Sequence, residues 1–173
     1  MIGDKGEITS LGELGKKINV NQIYKNLLIQ NMNEAKSIYN PFTFKSLVQG
    51  KGEWDLKVNN KTIFGLGNDG KTQFLFKGKK MEAQDIGNHH FGAVANAYGF
   101  GQEFALKQAG VAQMSSGTSQ KEWQIYGPKQ VVGSTPAGPI YSRPMLPPYG
   151  DDPRDQSYIK EGYQYYNKNK ENE

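Results

Sequence analysis

The sequence predicts an α+β fold, in which a small antiparallel β-sheet packs against several helices and a long Pro/Gly-rich loop precedes a C-terminal helix. Apolar residues recur at helical spacing between residues 21 and 39. Short segments of alternating polarity, separated by turn residues, follow between residues 54 and 76, as in a β-meander. Six of the eight prolines lie between residues 127 and 150, which therefore read as a loop.

The N-terminal elements follow from local signals. Residues 1–18 carry glycine at four positions and are predicted to be a linker or junction arm. A first helix is expected at about 21–39 with Asn21 as its N-cap, because the Asn-Pro pair at 40–41 stops it. A second short helix is predicted at 42–48.

Three strands are predicted next, at residues 54–58, 62–64 and 72–76, separated by turns that contain asparagine and glycine. Alternate residues of a strand lie on the same face. Asp55 and Lys57 would therefore share one face of the first strand and form an ion pair.

The C-terminal half reads as helices around the proline-rich loop. Helices are expected at about 87–98 and 102–114, the second apolar all round, and a capping box at Ser119 predicts a short helical turn. The last helix is predicted at about 153–167, with Asp152 as its N-cap. The predicted organisation is an arm at 1–18, one folded domain at 19–167 and a frayed tail at 168–173.

Composition excludes several classes of protein. Cysteine is absent, which rules out a thiol nucleophile, a thiolate metal site and disulfides. No apolar run approaches the roughly 20 residues of a transmembrane helix, and we expect no Sec signal in this chain. No nucleotide-binding loop, zinc motif or serine-hydrolase elbow occurs. Residues 1–80 carry a net charge of +6 and residues 81–173 carry −2, so the basic half could attract nucleic acid or could simply be solvated by lysine.

The only two histidines lie in the segment Gly87–Gly92. Histidine moves protons near neutral pH, so His90 is a candidate general base or acid. Adjacent residues on a helix point about 100 degrees apart, so His89 and His90 do not easily serve one site. His89 and Asn88 are therefore candidates for substrate contact, and a structural hydrogen bond is the alternative role for either histidine.

The densest group of carboxylates lies just before the C-terminal helix. Asp152 and Asp155 suit the cap and the first turn of that helix, which would explain both without catalysis. Alternatively, they orient the histidine, hold a divalent cation or act as general acid and base. Asp151 and Gln156 are then candidates for substrate contact.

Three further residues complete the candidate site. Asp55 is another acid that could act in catalysis, and Lys57 could contact substrate. Gln113 lies in an otherwise apolar helix, so it needs a buried partner or lines a site. No motif demands a cofactor; a divalent cation on the acids is possible, and its ligands stay unassigned.

Several short segments occur in a fixed order along residues 31–166: Asn31–Ala35, Gly52–Lys57, Asp85–Gly99, Ala109–Gln113, Gly117–Ser119, Tyr149–Gln156, Ile159 and Gly162. Their order resembles the bacterial polymorphic-toxin family called type 44, apart from a proline-rich insertion at 128–147. The resemblance implies that residues 19–167 are a toxin domain. It also implies that asparagine can replace His90, which favours the acids as the compulsory groups.

The resemblance further implies a larger secreted or contact-dependent carrier, such as an Rhs-type protein, and a cognate immunity protein. The arm at 1–18 would be the junction to that carrier, which would deliver the domain into a target bacterium. A ribonuclease is the activity that the resemblance favours.

Three functions stay open from the sequence. An antibacterial ribonuclease would use His90 and the acids, with N-terminal lysines attracting phosphate. A cell-envelope hydrolase acting on peptidoglycan glycan would use paired carboxylates, and the scarcity of arginine, a common phosphate ligand, favours it. A non-catalytic interaction module would use neither.

Overall fold

The protein is represented by a computed structural model that describes residues 14–170, so most of the predicted arm and the end of the predicted tail lie outside it. The α+β class is confirmed. In chain order, the elements are β1 (Lys17–Asn19), α1 (Asn21–Ser37), α2 (Pro41–Val48), α3 (Ile63–Leu66), β2 (Gln73–Phe76), β3 (Lys79–Met81), α4 (Ala83–Tyr98), α5 (Gln102–Ser115), β4 (Gln130–Thr135), β5 (Gly138–Ser142) and α6 (Pro153–Asn169).

Two compact units make up the fold. The first contains the described residues up to Gln102 and those from Ser157 onward, and the second is Glu103–Gln156. None of the helices described between residues 14 and 170 is both long enough and apolar enough to cross a membrane.

The sheet of the first unit is mixed, not wholly antiparallel as predicted. Its strand order is β1-β2-β3, with β1 parallel to β2 and β2 antiparallel to β3. β1 falls at the end of the segment predicted to be an arm, where Ile18 is buried opposite Phe74. Three residues are too short for a recognisable alternation, and only pairing with a strand far along the chain identifies them.

Helix α4 lies at the centre of the first unit. Helix α1 packs against it with Tyr24, Leu28 and Met32 buried, and α4 contributes buried Ile86 and Val94. Full burial of one such aliphatic side chain is worth about 1.5–3 kcal/mol, so this contact supplies much of the core. Asn21 begins α1 rather than capping it, since its side chain accepts the amide of Lys77 at 2.6 Å.

Two glycines let α6 approach the backbone of α4. A Cβ at Gly92 would overlap the carbonyl oxygen of Ile159, and one at Gly162 would overlap the carbonyl oxygen of His89. Both contacts are with backbone atoms, which cannot rotate away. The close approach therefore fixes the part of α4 that carries the histidines.

The predicted strand at 54–58 is instead a series of turns. The amide of Asp55 donates to the carbonyl three residues earlier, and the amide of Val58 donates to Asp55, both at 3.0 Å. The apolar residues of the alternating pattern do not share one environment, because Trp54 and Leu56 are buried within these turns while Val58 is exposed. Asp55 and Lys57 therefore do not share a strand face, and that prediction is wrong.

The predicted strand at 62–64 is also wrong, because α3 begins at Ile63. The hydroxyl of Thr62 accepts the amide of Gly65 at 3.3 Å, which caps the helix. The other predicted helices are confirmed to within a few residues at each end, and α2 has Asn40 as its cap.

The second unit orders the proline-rich segment as a hairpin, which the sequence did not predict. β4 and β5 pair antiparallel from Gln130↔Ser142 to Thr135↔Gly138. Pro136 falls in the turn, where no ladder hydrogen bond is needed. The predicted turn at Ser119 is a 3₁₀ turn at Lys121–Trp123 without a side-chain cap, and the Ser119 hydroxyl donates to Gly150 instead.

Helix α5 is not apolar all round. Its buried residues are Ala105, Leu106 and Gly110, and Val111 is half exposed. A Cβ at Gly110 would overlap the carbonyl oxygen of Tyr149, so α5 packs closely on the chain just before Asp151.

Candidate functional site

His89 projects from α4 into an aromatic pocket of the first unit. Ring centroids of Tyr24, Phe76 and Tyr165 lie 5.6, 5.8 and 5.5 Å from that of His89. His89 is 5% exposed. The His89 side chain is therefore almost completely enclosed by these rings.

Tyr24 determines which nitrogen of His89 carries the proton. The Tyr24 hydroxyl lies 3.0 Å from the carbonyl oxygen of Ile86 and 2.9 Å from Nδ1 of His89. A carbonyl only accepts, so the hydroxyl donates to Ile86 and accepts from the Nδ1–H of His89. Nε2 then carries the lone pair. Among residues 14–170 no group hydrogen-bonds to Nε2, and this atom is not fully buried.

Two lysines of the β2–β3 hairpin lie beside this pocket. Nζ of Lys77 lies 4.6 Å from the ring centroid of Tyr165. Nζ of Lys79 lies 4.1 Å from the ring centroid of Tyr158 and 2.7 Å from Oε1 of Glu161. We call His89, Tyr24, Tyr165, Lys77 and Lys79 the His89 cluster.

The surroundings keep His89 neutral. Burial lowers the pKa of His89 to about 4, and the positive charges of Lys79 and Lys77 contribute to that shift. At pH 7 the imidazole is therefore uncharged, with a lone pair on Nε2. An anion bound at the two lysines would offset their charge and raise the pKa of His89.

His90 lies on a different side of α4 and has no solvent exposure. Its Nε2 is 2.9 Å from Nδ2 of Asn31, and its ring packs edge-on against Trp54 at 5.9 Å between centroids. Nδ1 of His90 is buried and has no hydrogen-bond partner within the part of the chain that the structure describes, which costs about 1–3 kcal/mol. Burial lowers the pKa of His90 to about 3.

Both histidines make the protein sensitive to acid. Their folded-state pKa values, about 4 and about 3, lie below the unfolded value of about 6.5. Stability is therefore full above pH 6.5 and falls as pH is lowered toward those values, by up to about 1.4 kcal/mol per pH unit for each histidine. Asp151, raised to about 6, opposes this effect between about pH 6 and 3.9. We expect a net loss of roughly 1.4 kcal/mol per unit across that interval.

Urea unfolding at pH 7.5, 6.0, 5.0 and 4.5 measures this dependence. His90→Gln can still meet Asn31 and removes one titrating ring, so its stability should depend less steeply on pH than that of the wild-type protein. A wild-type stability that stays constant from pH 7.5 to 4.5 would contradict the burial of neutral histidines.

Lys57 and Asn88, two predicted substrate contacts, lie near each other in the first unit. The aliphatic stem of Lys57 runs past Gly87, with Cβ 3.7 Å from the position that a Cβ on Gly87 would take. Nδ2 of Asn88, the next residue, is a buried donor without a partner. Asn88 therefore has a hydrogen-bond donor that no residue between 14 and 170 satisfies.

The predicted acidic group lies in the second unit. Asp151, Asp155 and Gln156 are all buried, and Nε2 of Gln156 donates to Oδ2 of Asp151 at 2.6 Å and to the carbonyl of Leu106 at 3.1 Å. Burial raises the pKa of Asp151 to about 6; the hydrogen bond from Gln156 opposes this shift, and the charge of Asp155 adds to it. Tyr149, just before this group, has a φ of 61°, a strained conformation for a tyrosine.

Three predicted residues remain, Asp152, Asp55 and Gln113, and the carboxylates of the first two accept hydrogen bonds from backbone amides. Oδ1 of Asp152 accepts the amide of Arg154 at 2.8 Å, as expected for the start of α6. Oδ2 of Asp55 accepts the amide of Lys51 at 2.9 Å, and Lys51 has a φ of 67°. Gln113 is half-buried in α5.

The structure therefore divides the predicted residues between two units. His89, His90, Asn88, Asp55 and Lys57 belong to the first, and the other five belong to the second. The lysine cluster at 77–80 and the tyrosines of α6 were visible signals in the sequence. Sequence reasoning nevertheless missed the residues that surround the two histidines, which are Tyr24, Asn31, Trp54, Lys77, Lys79 and Tyr165.

Among residues 14–170, no three His, Cys, Asp or Glu side chains are grouped so that they could hold a metal ion. No curated protein and no solved structure matches the chain. The family model described as bacterial toxin 44 matches residues 43–168, more than half of the chain. The chain belongs to the bacterial toxin 44 family.

Proposed function

We propose that this toxin domain cleaves RNA at the His89 cluster. The observation that supports this proposal is the lone pair on Nε2 of His89, an atom that is not fully buried and that no group among residues 14–170 hydrogen-bonds. Lys77 and Lys79 are close enough for their charges to lower the pKa of His89. A neutral imidazole is a suitable base for a hydroxyl proton, and adjacent ammonium groups attract a phosphodiester and stabilise the charge that develops on it. RNA carries such an anion beside the 2′-hydroxyl of each nucleotide.

The proposed reaction is an internal transfer. Nε2 of His89 removes the proton of the ribose 2′-hydroxyl, whose oxygen forms a bond to phosphorus while the bond from phosphorus to the 5′-oxygen breaks. Lys77 and Lys79 stabilise the additional negative charge on the phosphoryl oxygens. The leaving 5′-oxygen takes a proton from the phenol of Tyr165, which burial keeps protonated at neutral pH by raising its pKa. The transfer is favourable because the leaving alkoxide is a stronger base than the phenolate that remains on Tyr165.

In this proposal, the other predicted residues either stabilise the structure around the site or contact the substrate. His90, which sits between Asn31 and Trp54 without exposure, anchors α4. Asp152 and Asp55 stabilise a helix start and a turn. Asn88 and Lys57 remain proposed substrate contacts: Nδ2 of Asn88 is a buried donor that no residue between 14 and 170 satisfies, and the stem of Lys57 lies beside the neighbouring Gly87. Gln113 also stays a proposed contact.

Membership in a toxin family supports delivery to a target cell. We propose a larger secreted carrier of the Rhs type, with the N-terminal residues as the junction, and a cognate immunity protein in the producing cell. The immunity protein would have to block the His89 cluster or the approach to it.

A second candidate function is hydrolysis of peptidoglycan glycan. The observation that favours it is Asp151, whose pKa of about 6 suits a general acid, with the carboxylate of Asp155 close enough to affect that pKa. Asp151 is buried, however, and the strain at Tyr149 and the hydrogen bond to Gln156 also fit a structural role. Asp155 and Asp152 would then be the partner carboxylates.

Expression in a bacterium distinguishes the two candidates. The domain is induced either as it stands or behind a periplasmic signal sequence, and total RNA is run on a gel. We expect growth arrest and degraded RNA from cytoplasmic expression, because the substrate is there. Killing only after export, with lysis and intact RNA, would instead support the carboxylates and the cell wall. No toxicity in either compartment would favour the non-catalytic module.

A further inference from the structure

Three tyrosines of α6 each make a cation–π contact with a lysine from elsewhere in the first unit. Lys79 lies over Tyr158 at 4.1 Å and Lys77 over Tyr165 at 4.6 Å. Lys36, at the end of α1, lies 5.7 Å from the ring centroid of Tyr166. Tyr158 and Tyr166 are eight residues apart on one helix, a rise of about 12 Å at 1.5 Å per residue. The three ammonium groups therefore lie along α6, with Lys77 over the ring that packs against His89 and Lys36 at the end of α1.

Two exposed aromatic side chains follow directly after Lys36 in the chain. Tyr39 is 96% exposed and Phe42 is 78% exposed. The turn that carries them is ordered, because Oδ1 of Asn40 accepts the amide of Phe42 at 2.9 Å and caps α2. Lys45, in the same short helix, is also exposed. Large aromatic groups held in water on an ordered turn indicate a binding surface.

We propose that these two features form one surface for single-stranded RNA, which we call the α6 track: Lys79, Lys77, Lys36, Tyr39 and Phe42. This proposal rests on the proposed ribonuclease function and specifies its substrate. Lys77 and Lys79 contact the scissile phosphate, Lys36 contacts a phosphate further along the strand on one side of it, and unpaired bases stack on Tyr39 and Phe42.

The positive charges and exposed rings of the α6 track favour single-stranded RNA as its ligand. Proteins bind single strands by combining a cationic path for the backbone with aromatic faces for the bases. Bases in a duplex are already stacked, so exposed rings favour an unpaired strand. Glu161 is the carboxylate that pairs with Lys79, and an incoming phosphate replaces it. A dinucleotide would reach the His89 cluster but not the exposed rings.

The test compares a 12-nucleotide unstructured RNA with a dinucleotide as substrates of the purified chain. Base stacking on an aromatic residue contributes about 1–3 kcal/mol, or roughly tenfold in binding. Tyr39→Ala with Phe42→Ala should therefore raise KM for the 12-mer by about 100-fold, leave kcat unchanged and leave the dinucleotide unaffected. Lys36→Ala should raise KM for the 12-mer and reduce its slope against log salt by about 0.7.

Lys129→Ala is the matched control, because Lys129 lies 4.4 Å from the ring centroid of Tyr141 in the second unit and is not part of the track.

The outcomes separate the track from the ribonuclease function. If the wild-type chain cleaves both RNAs and the track variants have an unchanged KM for the 12-mer, the track is overturned and the proposed ribonuclease function stands. If the wild-type chain cleaves neither RNA, the ribonuclease fails, and fluorescence anisotropy of the labelled 12-mer then decides the track. Binding that is lost with Tyr39 and Phe42 supports it, and no binding overturns it. Binding of phosphatidylglycerol vesicles through these rings, with RNA affinity unchanged, would also overturn it.

Discussion

Replacing His89 by asparagine should lower the rate of RNA cleavage by about 10²–10⁴-fold, the usual contribution of a general base. The amide of asparagine can occupy the position of Nδ1 and still donate to the Tyr24 hydroxyl. What it removes is Nε2, the atom with the lone pair. The folded state should therefore survive, with kcat lost and KM for RNA nearly unchanged, since the lysines remain.

The neighbouring histidine supplies the control. His90→Gln keeps a group that can reach Asn31, and His90 is buried away from solvent. We expect this variant to lose stability but retain its rate of cleavage at a temperature where it is folded. If His90→Gln abolished cleavage and His89→Asn did not, the general base would be His90, as the sequence alone suggested.

Replacing Gly162 by alanine should destabilise the first unit by about 3 kcal/mol or more, at the upper end of the cost of overpacking. The new Cβ would overlap the carbonyl oxygen of His89 and press on the amide nitrogen of Ala93. These backbone atoms cannot move without shifting α4 or α6. Because the strain falls on His89 itself, cleavage should also drop, even in the fraction that stays folded.

A second glycine within a helix calibrates this prediction. A Cβ at Gly87 would meet only the stem of Lys57, at 3.7 Å. Gly87→Ala should therefore gain the better helix propensity of alanine, up to about 1 kcal/mol. Chemical unfolding of both variants gives the comparison. Equal stability of the two would show that α4 and α6 do not approach as closely as Gly162 requires.

Local signals predicted the helices well and the strands poorly. The starts of α2 and α6 depend on a cap and a proline within two residues of each other, at 40–41 and 152–153, and both were visible in the sequence. The segment at 54–58 has the alternation of a strand, but turn hydrogen bonds satisfy its backbone. β1 is three residues long, and only its pairing with β2 identifies it.

Local sequence signals also predicted the candidate site only in part. His89 and the lysine cluster at 77–80 were both visible in the sequence, but not their proximity. That proximity depends on the β2–β3 hairpin and on Tyr165, which lies 76 residues after His89 in the chain. The hydrogen bond that His89 donates to the Tyr24 hydroxyl, 65 residues earlier in the chain, likewise depends on the packing of α1 against α4. The acids beside the last helix are close together in the sequence, and for that reason they were predicted to belong to the site.

Analysis of the cleavage products tests the central claim most directly. The purified chain is incubated with an end-labelled RNA and with the same RNA carrying a single 2′-deoxy nucleotide at the cleaved position. The proposed chemistry predicts a 2′,3′-cyclic phosphate on the product of the first RNA, no cleavage at the substituted position of the second, and loss of the product in His89→Asn. Cleavage at the deoxy position, or intact RNA together with release of glycan fragments from peptidoglycan, would contradict it.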